Sequence, residues 1–99
     1  MKVTLLGAGA WGTAMASQAA RQLREEDVCL WSRSADQLKA IAQSGENQAY
    51  LPGISLPKNL YLENDFDVAI KRLGADDLLV IATPMSGLSE MIEIGRAHV

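Results

Sequence analysis

Three glycines near the N-terminus have a spacing that could bind phosphate groups. Gly7, Gly9 and Gly12 match the pattern G-x-G-x-x-G between an apolar run and a helix-forming segment. Gly7 would permit a tight turn, Gly9 would let a pyrophosphate approach the backbone, and Gly12 would let the helix press on the strand. A helix that begins near Ala10 would add N–H donors and a partial positive charge. The pattern therefore predicts a dinucleotide site; the alternative is an ordinary glycine-rich strand–helix turn.

The residues about twenty positions beyond the glycines indicate which dinucleotide would bind, because NAD sites usually place Asp or Glu there for the ribose 2′-hydroxyl. This sequence has Trp31, Ser32 and Arg33 at that distance and no carboxylate. Ser32 could donate to a 2′-phosphate, and Arg33 could pair with it or stack over it. We therefore favour NADP(H) over NAD(H). The alternative is that Arg33 is a solvated surface charge.

Apolar runs alternate with helix-forming segments along the chain. The runs that predict strands are Val3 to Leu6, Val28 to Trp31, Leu60 to Leu62 and Leu78 to Ala82. The segments that predict helices are Ala10 to Arg24, Ala35 to Gln43, Phe66 to Leu73, and one after Pro84 toward Ile92. This order predicts an α/β protein: a partial Rossmann, doubly wound parallel sheet of about four strands with crossover helices. Such a sheet binds ligands at the carboxyl ends of its strands.

Helix ends and helix faces can also be predicted. Ser34 and Asp65 should cap the second and third helices, which Gly45 and Gly74 should end. One face of the first helix should lie on the sheet, formed by Ala14, Met15, Gln18, Ala19 and Leu23.

Composition narrows the class of protein. The 99 residues are 48% hydrophobic and 21% charged, with a net charge of −3, which indicates a globular chain. That charge gives no basic field for nucleic acid, and no apolar run approaches the roughly 20 residues that span a bilayer. The apolar stretch at the N-terminus is too short to be the hydrophobic region of a signal peptide. We expect a cytoplasmic protein with a small-molecule ligand and neither nucleic acid nor membrane as partner.

The single cysteine, Cys29, excludes an internal disulfide and any zinc site built from several cysteines. Its position within a predicted strand favours a small buried hydrophobe over a reactive thiol. We predict no metal site.

Four stretches together resemble one family. They are G-A-G-A-W-G at 7–12, V-C-L-W-S-R at 28–33, E-N-Q-A-Y-L-P-G-I-S-L-P at 46–57 and V-I-A-T-P at 80–84. With them, residues 2–92 resemble the NAD(P)-dependent glycerol-3-phosphate dehydrogenases, most closely the bacterial biosynthetic branch. The loop Asn47–Pro57 is the most specific part, because its pattern N-x-x-Y-L-P-G is not general among dinucleotide folds.

The resemblance implies an enzyme that reduces dihydroxyacetone phosphate to sn-glycerol 3-phosphate with NAD(P)H, at the entry to phospholipid synthesis. The positions that it implies for cofactor binding are Gly7, Gly9, Ala10, Trp11, Gly12, Ser32, Arg33, Tyr50 and Pro84. Met85 stands where the family usually has serine, so no polar cofactor contact is carried over to it.

No catalytic residue of the family has a counterpart in this sequence. The family's catalytic lysine lies in a later helical domain, and its lysine near the nicotinamide follows a fifth strand. The lysines present are interpreted as surface charges: Lys2, Lys39, Lys58 and Lys71. Residues 1–93 are therefore expected to be an incomplete N-terminal NAD(P)-binding domain, inactive without the C-terminal helical domain, and a homodimer remains open for the full-length protein.

The C-terminal residues break the pattern of the rest. The sequence I-G-R-A-H-V at 94–99 places a glycine where a helix should continue. It also equals the translation of ATC GGA AGA GCA CAC GTC, which matches a common sequencing-library adapter. We interpret 94–99 as such an artefact, with a genuine short tail as the alternative, so His98 is given no catalytic role.

Two other functions remain open. One is a stand-alone module that binds or senses NAD(P) without turnover. The other is the cofactor domain of another small dehydrogenase, of the ketopantoate reductase or 6-phosphogluconate dehydrogenase type, which the Asn47–Pro57 loop disfavours. A lysine-bearing helical domain farther along the gene would argue against the sensing module.

Overall fold

The computed structural model describes residues 1–23 and 27–82, which form one four-stranded sheet with the strand order β3-β2-β1-β4. The strands are β1 (Val3–Leu6), β2 (Val28–Trp31), β3 (Tyr61–Glu63) and β4 (Leu78–Ile81). Every pairing between neighbours is parallel. The α/β class and the doubly wound parallel sheet predicted from the sequence are thus confirmed.

Helices connect the strands. They are α1 (Ala10–Gln22), α2 (Ala35–Ser44) and α3 (Phe66–Lys71). Leu6, Trp31 and Ile81 are aligned in the registers of β1, β2 and β4, so these strands end at one edge of the sheet. β1 lies between β2, which follows it in the chain and pairs with one of its sides, and β4, which pairs with the other. The turn after β1 therefore lies where the strand order reverses, the usual ligand position in such sheets.

The core has two layers because side chains alternate across the pleated strands. On one face, Leu5 and Leu30 pack with Ala16 and Ala20 of α1. On the other face, a second cluster joins the sheet to α3; it contains Leu6, Cys29, Trp31 and Ala69. Trp31 meets the ring of Phe66 edge to face at 5.5 Å between centroids. Trp31, at 3% exposed, is thus a core residue.

The predicted face of α1 was wrong. The residues that α1 buries are Gly12, Thr13, Ala16, Ser17 and Ala20. Ala14 and Gln18 are exposed, and only the remaining three predicted residues reach the edge of the core. Since α1 carries small residues on several sides, its apolar pattern does not define one face. The close approach of Gly12 to the turn after β1 sets the helix rotation instead.

The predicted caps of α2 and α3 are confirmed. Ser34 accepts a hydrogen bond from the N–H of Gln37, and Asp65 accepts one from the N–H of Val68. Gly45 ends α2 with a φ of 76°, in the left-handed region that favours glycine. β3 begins one residue later than predicted, and α3 ends at Lys71 rather than Leu73.

The predicted helix after Pro84 and the terminal segment 94–99 lie outside the described residues. Within the part of the chain that the structure describes, no helix has both the length and the apolar character needed to cross a membrane.

Candidate functional site

The turn between β1 and α1 is held by backbone contacts that require glycine. Gly7 has a φ of 119°, and its N–H donates to the carbonyl of Trp31 at 2.9 Å, which joins the turn to β2. A Cβ added to Gly12 would overlap the carbonyl oxygen of Gly7 and would lie 3.2 Å from the Cβ of Ala82. Gly7 and Gly12 therefore have the structural roles predicted from the sequence.

Gly9 has open surroundings, in contrast to the crowded position of Gly12. A Cβ built there meets no atom of the chain within 4 Å, so the backbone faces open space. Gly9 is the N-cap of α1; it provides no side-chain cap, and the first turn carries no acidic residue. The first backbone bond of α1 runs from Thr13 N–H to Gly9 O, so the preceding N–H groups have no acceptor within the helix. An open backbone beside such donors fits a pyrophosphate.

Side chains from α2 and the following loop fix the middle of this turn. The carbonyl oxygen of Ala8 accepts from Asn47 Nδ2 at 2.8 Å and from Gln37 Nε2 at 2.9 Å. Thr13 Oγ1 lies 3.3 Å from the same oxygen and accepts from Asn47 Nδ2 at 2.8 Å. Asn47 is only 1% exposed, so the loop that it begins is fastened to the glycine turn.

Our sequence analysis included Asn47 only as part of the loop pattern, and it did not predict a role for Gln37. An amide on a helix is usually solvated, and no sequence signal distinguishes Gln37 from Gln43, which lies on the same helix. A buried asparagine that opens a glycine- and proline-rich loop could have been interpreted as an anchor, since such residues commonly bond to backbone groups.

Ser32 and Arg33 follow β2, beside the glycine turn. Ser32 is only 5% exposed; its hydroxyl accepts from the N–H of Ser34 at 3.1 Å and donates to Gln37 Oε1 at 2.7 Å. Arg33 is exposed. The structure thus brings the Ser32 hydroxyl and the glycine turn to the same side chain, Gln37.

The aromatic positions predicted for the cofactor lie on two surfaces. Trp11 is 74% exposed and forms an apolar patch on α1 with Ala14 and Met15. Tyr50 is 55% exposed and lines a groove of about 450 Å³ between α2 and the loop, which also includes Gln37 and Asn47. Pro84 lies outside the described residues.

The titratable groups of residues 1–23 and 27–82 add no reactive centre to this site. Cys29 is buried in β2, and burial raises the pKa of its thiol to about 11. Among the described residues, no group of three or more His, Cys, Asp or Glu side chains could hold a metal ion. The predicted surface lysines are all exposed: Lys2, Lys39, Lys58 and Lys71.

The strand order, with a glycine turn at its reversal point, defines a Rossmann-type nucleotide-binding domain. Residues 2–98 match the family described as NAD-dependent glycerol-3-phosphate dehydrogenase N-terminus. The chain belongs to this family.

Curated relatives and solved structures agree with that assignment. The chain is 73% identical over 92 residues to glycerol-3-phosphate dehydrogenase (NAD(P)+) of Polynucleobacter necessarius, covering 93% of this chain and 27% of the relative. It is 54% identical over 93 residues to the enzyme of that name from Cupriavidus metallidurans, covering 92% and 27%. Glycerol-3-phosphate dehydrogenase from Coxiella burnetii superposes with a TM-score of 0.81 at 32% identity, covering 99% of this chain and 29% of that one. The chain thus spans about 27% of the length of these curated relatives.

Proposed function

We propose that this chain is the cofactor-binding part of an NAD(P)H-dependent glycerol-3-phosphate dehydrogenase. The whole enzyme would reduce dihydroxyacetone phosphate to sn-glycerol 3-phosphate for phospholipid synthesis. The observation that carries the proposal is the start of α1: open space at Gly9, no side-chain cap and no acidic residue in the first turn. Membership of the dehydrogenase family supports a nicotinamide dinucleotide as the anion bound there.

The residues of this chain would bind and orient the cofactor. Backbone groups from Gly7 to Gly12 would hold the pyrophosphate, since they begin a helix with unpaired N–H donors. Ser32 and Arg33 would face the adenosine ribose, with Tyr50, Trp11 and Pro84 as further contacts. The bound nicotinamide would supply the hydride. The proton donor would come from a lysine beyond this chain, so the chain alone is expected to be inactive.

We propose that NADPH is preferred to NADH. The end of β2 offers Ser32 and Arg33 and no carboxylate. The acid at the end of the neighbouring strand, Glu63, is in register with Trp31 and already accepts from Tyr61 Oη and from the N–H groups of Asn64 and Asp65. An acid bonded in this way is poorly placed to accept from a ribose 2′-hydroxyl, which favours a phosphate beside Arg33.

The remaining parts of the proposal concern the full-length protein. It would act in the cytoplasm on a small phosphate substrate held by the part that its relatives have beyond this chain, and it would form a homodimer. Light scattering of the full-length enzyme tests the last point.

A test of function uses a full-length enzyme. The matched 92-residue segment of this chain would replace its counterpart in the 73% identical relative, and the product is called the fusion enzyme below. We expect NADPH oxidation with dihydroxyacetone phosphate and none with ketopantoate. Cofactor binding by a folded fusion enzyme without turnover, while the unmodified relative turns over, would favour a sensing module. Turnover of ketopantoate instead would favour the other dehydrogenase class.

A further inference from the structure

One amide side chain of α2 connects two parts of the proposed cofactor site. Gln37 Nε2 donates to the carbonyl of Ala8, between the first two glycines of the turn, at 2.9 Å. Gln37 Oε1 accepts from the hydroxyl of Ser32, at the end of β2, at 2.7 Å. A single side chain therefore touches both the turn that would hold the pyrophosphate and the residue that would face the ribose.

The donor and acceptor groups around Gln37 allow only one direction for each of these hydrogen bonds. The carbonyl of Ala8 can only accept, so the NH2 group of Gln37 must face it and Oε1 must face Ser32. Because Oε1 can only accept, the single hydroxyl proton of Ser32 points to it, while the Ser32 oxygen accepts from the N–H of Ser34. Ser32 is thus held in one orientation.

Gln37 differs from Asn47, the other amide on Ala8. Asn47 is 1% exposed, and it also donates to Thr13, so it belongs to the interior. Both amides line the groove that contains Tyr50, but Gln37 is partly exposed and also contacts Ser32 at the end of β2. The fold can therefore do without Gln37 more easily than without Asn47, and Gln37 adds a contact to the second part of the site.

We propose that Gln37 is a positioning residue for the dinucleotide: it fixes the glycine turn and Ser32 relative to each other. This inference rests on the proposed function. Without Gln37, the bound cofactor would have to order both parts itself, which weakens binding. NADPH would be affected more than NADH, because its 2′-phosphate would lie beside Arg33, which directly follows Ser32 in the chain, while the Ser32 proton itself is held by Gln37.

The first test measures NADPH and NADH affinity by cofactor fluorescence in the fusion enzyme. For Gln37→Met we expect the Kd for NADPH to rise about tenfold and that for NADH about threefold. The KM for NADPH should rise in parallel, while kcat stays within about twofold. Gln43→Met is the matched control, since it makes the same change at an exposed position of α2 and should leave all values unchanged.

A double-mutant cycle with Ser32→Ala tests the connection itself. If Ser32 acts through Gln37, the double variant binds NADPH about as weakly as Gln37→Met alone. Additive losses would mean that the two residues act separately, which would overturn the inference. Gln37→Glu serves as a second variant if Gln37→Met does not fold; it keeps the shape of the side chain but cannot donate to Ala8 when ionised.

The outcomes separate this inference from the proposed function. A folded wild-type fusion enzyme that binds neither NADPH nor NADH would overturn both. Wild-type binding combined with a Gln37 variant that has a lower Tm but unchanged affinities would make Gln37 a merely structural residue, and only the inference would fail. A selective loss of NADPH affinity at unchanged Tm supports it.

Discussion

Gly9 and Gly12 lie three residues apart, but their surroundings differ. A Cβ at Gly12 would overlap the Gly7 carbonyl, whereas one at Gly9 would enter open space. The φ of Gly9 is −74°, which any residue can adopt. Gly12 therefore serves the packing of α1 on the turn, and we propose that Gly9 serves the approach of the cofactor.

Alanine at each of these two positions should separate folding from binding. We expect Gly12→Ala to destabilise the domain by about 2–3 kcal/mol through overpacking, visible as a lower Tm of the fusion enzyme. Gly9→Ala should change stability by less than about 0.5 kcal/mol but weaken NADPH binding at least tenfold. A Gly9→Ala protein with unchanged NADPH affinity would contradict the placement of the pyrophosphate.

Cys29 should be unreactive until the chain unfolds. Burial raises the pKa of its thiol from the usual 9.0 to about 11, so almost no thiolate exists at pH 8. Iodoacetamide labelling of the native protein should be slow at pH 8, and labelling in denaturant should be complete. Rapid native labelling at pH 8 would show that Cys29 is accessible.

The raised pKa of the Cys29 thiol also makes the stability of the folded domain depend on pH. The unfolded thiol loses its proton near pH 9, while the folded thiol keeps it until about pH 11. The contribution of Cys29 to stability is therefore fully present below pH 9 and is lost as the pH rises from 9 to 11. Denaturant unfolding of Cys29→Ala should show a smaller loss of stability over that interval than the wild type.

Among the larger elements, the loop that begins at Asn47 depends on one buried side chain. Asn47 Nδ2 donates to both Ala8 and Thr13. The backbone carbonyl of Asn47 accepts from the N–H of Leu51 at 2.7 Å. We expect Asn47→Ala to cost about 2–3 kcal/mol of stability and to expose the loop to proteolysis. Gln48→Ala, at the exposed neighbouring position, should change neither, and equal effects of both would contradict the anchor.

The sequence predicted strands and caps well because both have short-range causes. The apolar runs of β1 and β2 and the caps Ser34 and Asp65 needed only neighbouring residues to be recognised. The rotation of α1 was not predictable, because the contact of Gly12 with Gly7 arises only when the helix packs.

The glycines of the candidate site could be predicted from the sequence, whereas the side chains that support the turn could be predicted less well. The spacing of Gly7, Gly9 and Gly12 has one well-understood mechanical use, and the turn has the geometry that this use requires. The role of Gln37 depends on a contact across 29 residues with a backbone carbonyl. A backbone acceptor has no sequence signal, so no pattern could have identified it.

Across the whole molecule, the exposed edge of the sheet should dominate behaviour in solution. Among the described strands β4 lies at an edge of the sheet, and three of its four residues are exposed: Leu78, Leu79 and Ile81. We expect the 99-residue chain expressed alone to be marginally stable and prone to aggregate through this edge. Leu79→Lys should increase the monomer fraction in size-exclusion chromatography, and a soluble wild-type monomer with a sharp two-state thermal transition would contradict the expectation.

We propose that this chain binds NAD(P)H within a longer enzyme that reduces dihydroxyacetone phosphate, and this is the central point to test. It is tested most directly by titrating the fusion enzyme with NADPH and with NADH, then adding the substrate and following absorbance at 340 nm. We expect tighter binding of NADPH than of NADH, and cofactor oxidation that depends on dihydroxyacetone phosphate. A correctly folded fusion enzyme that binds neither cofactor would contradict it.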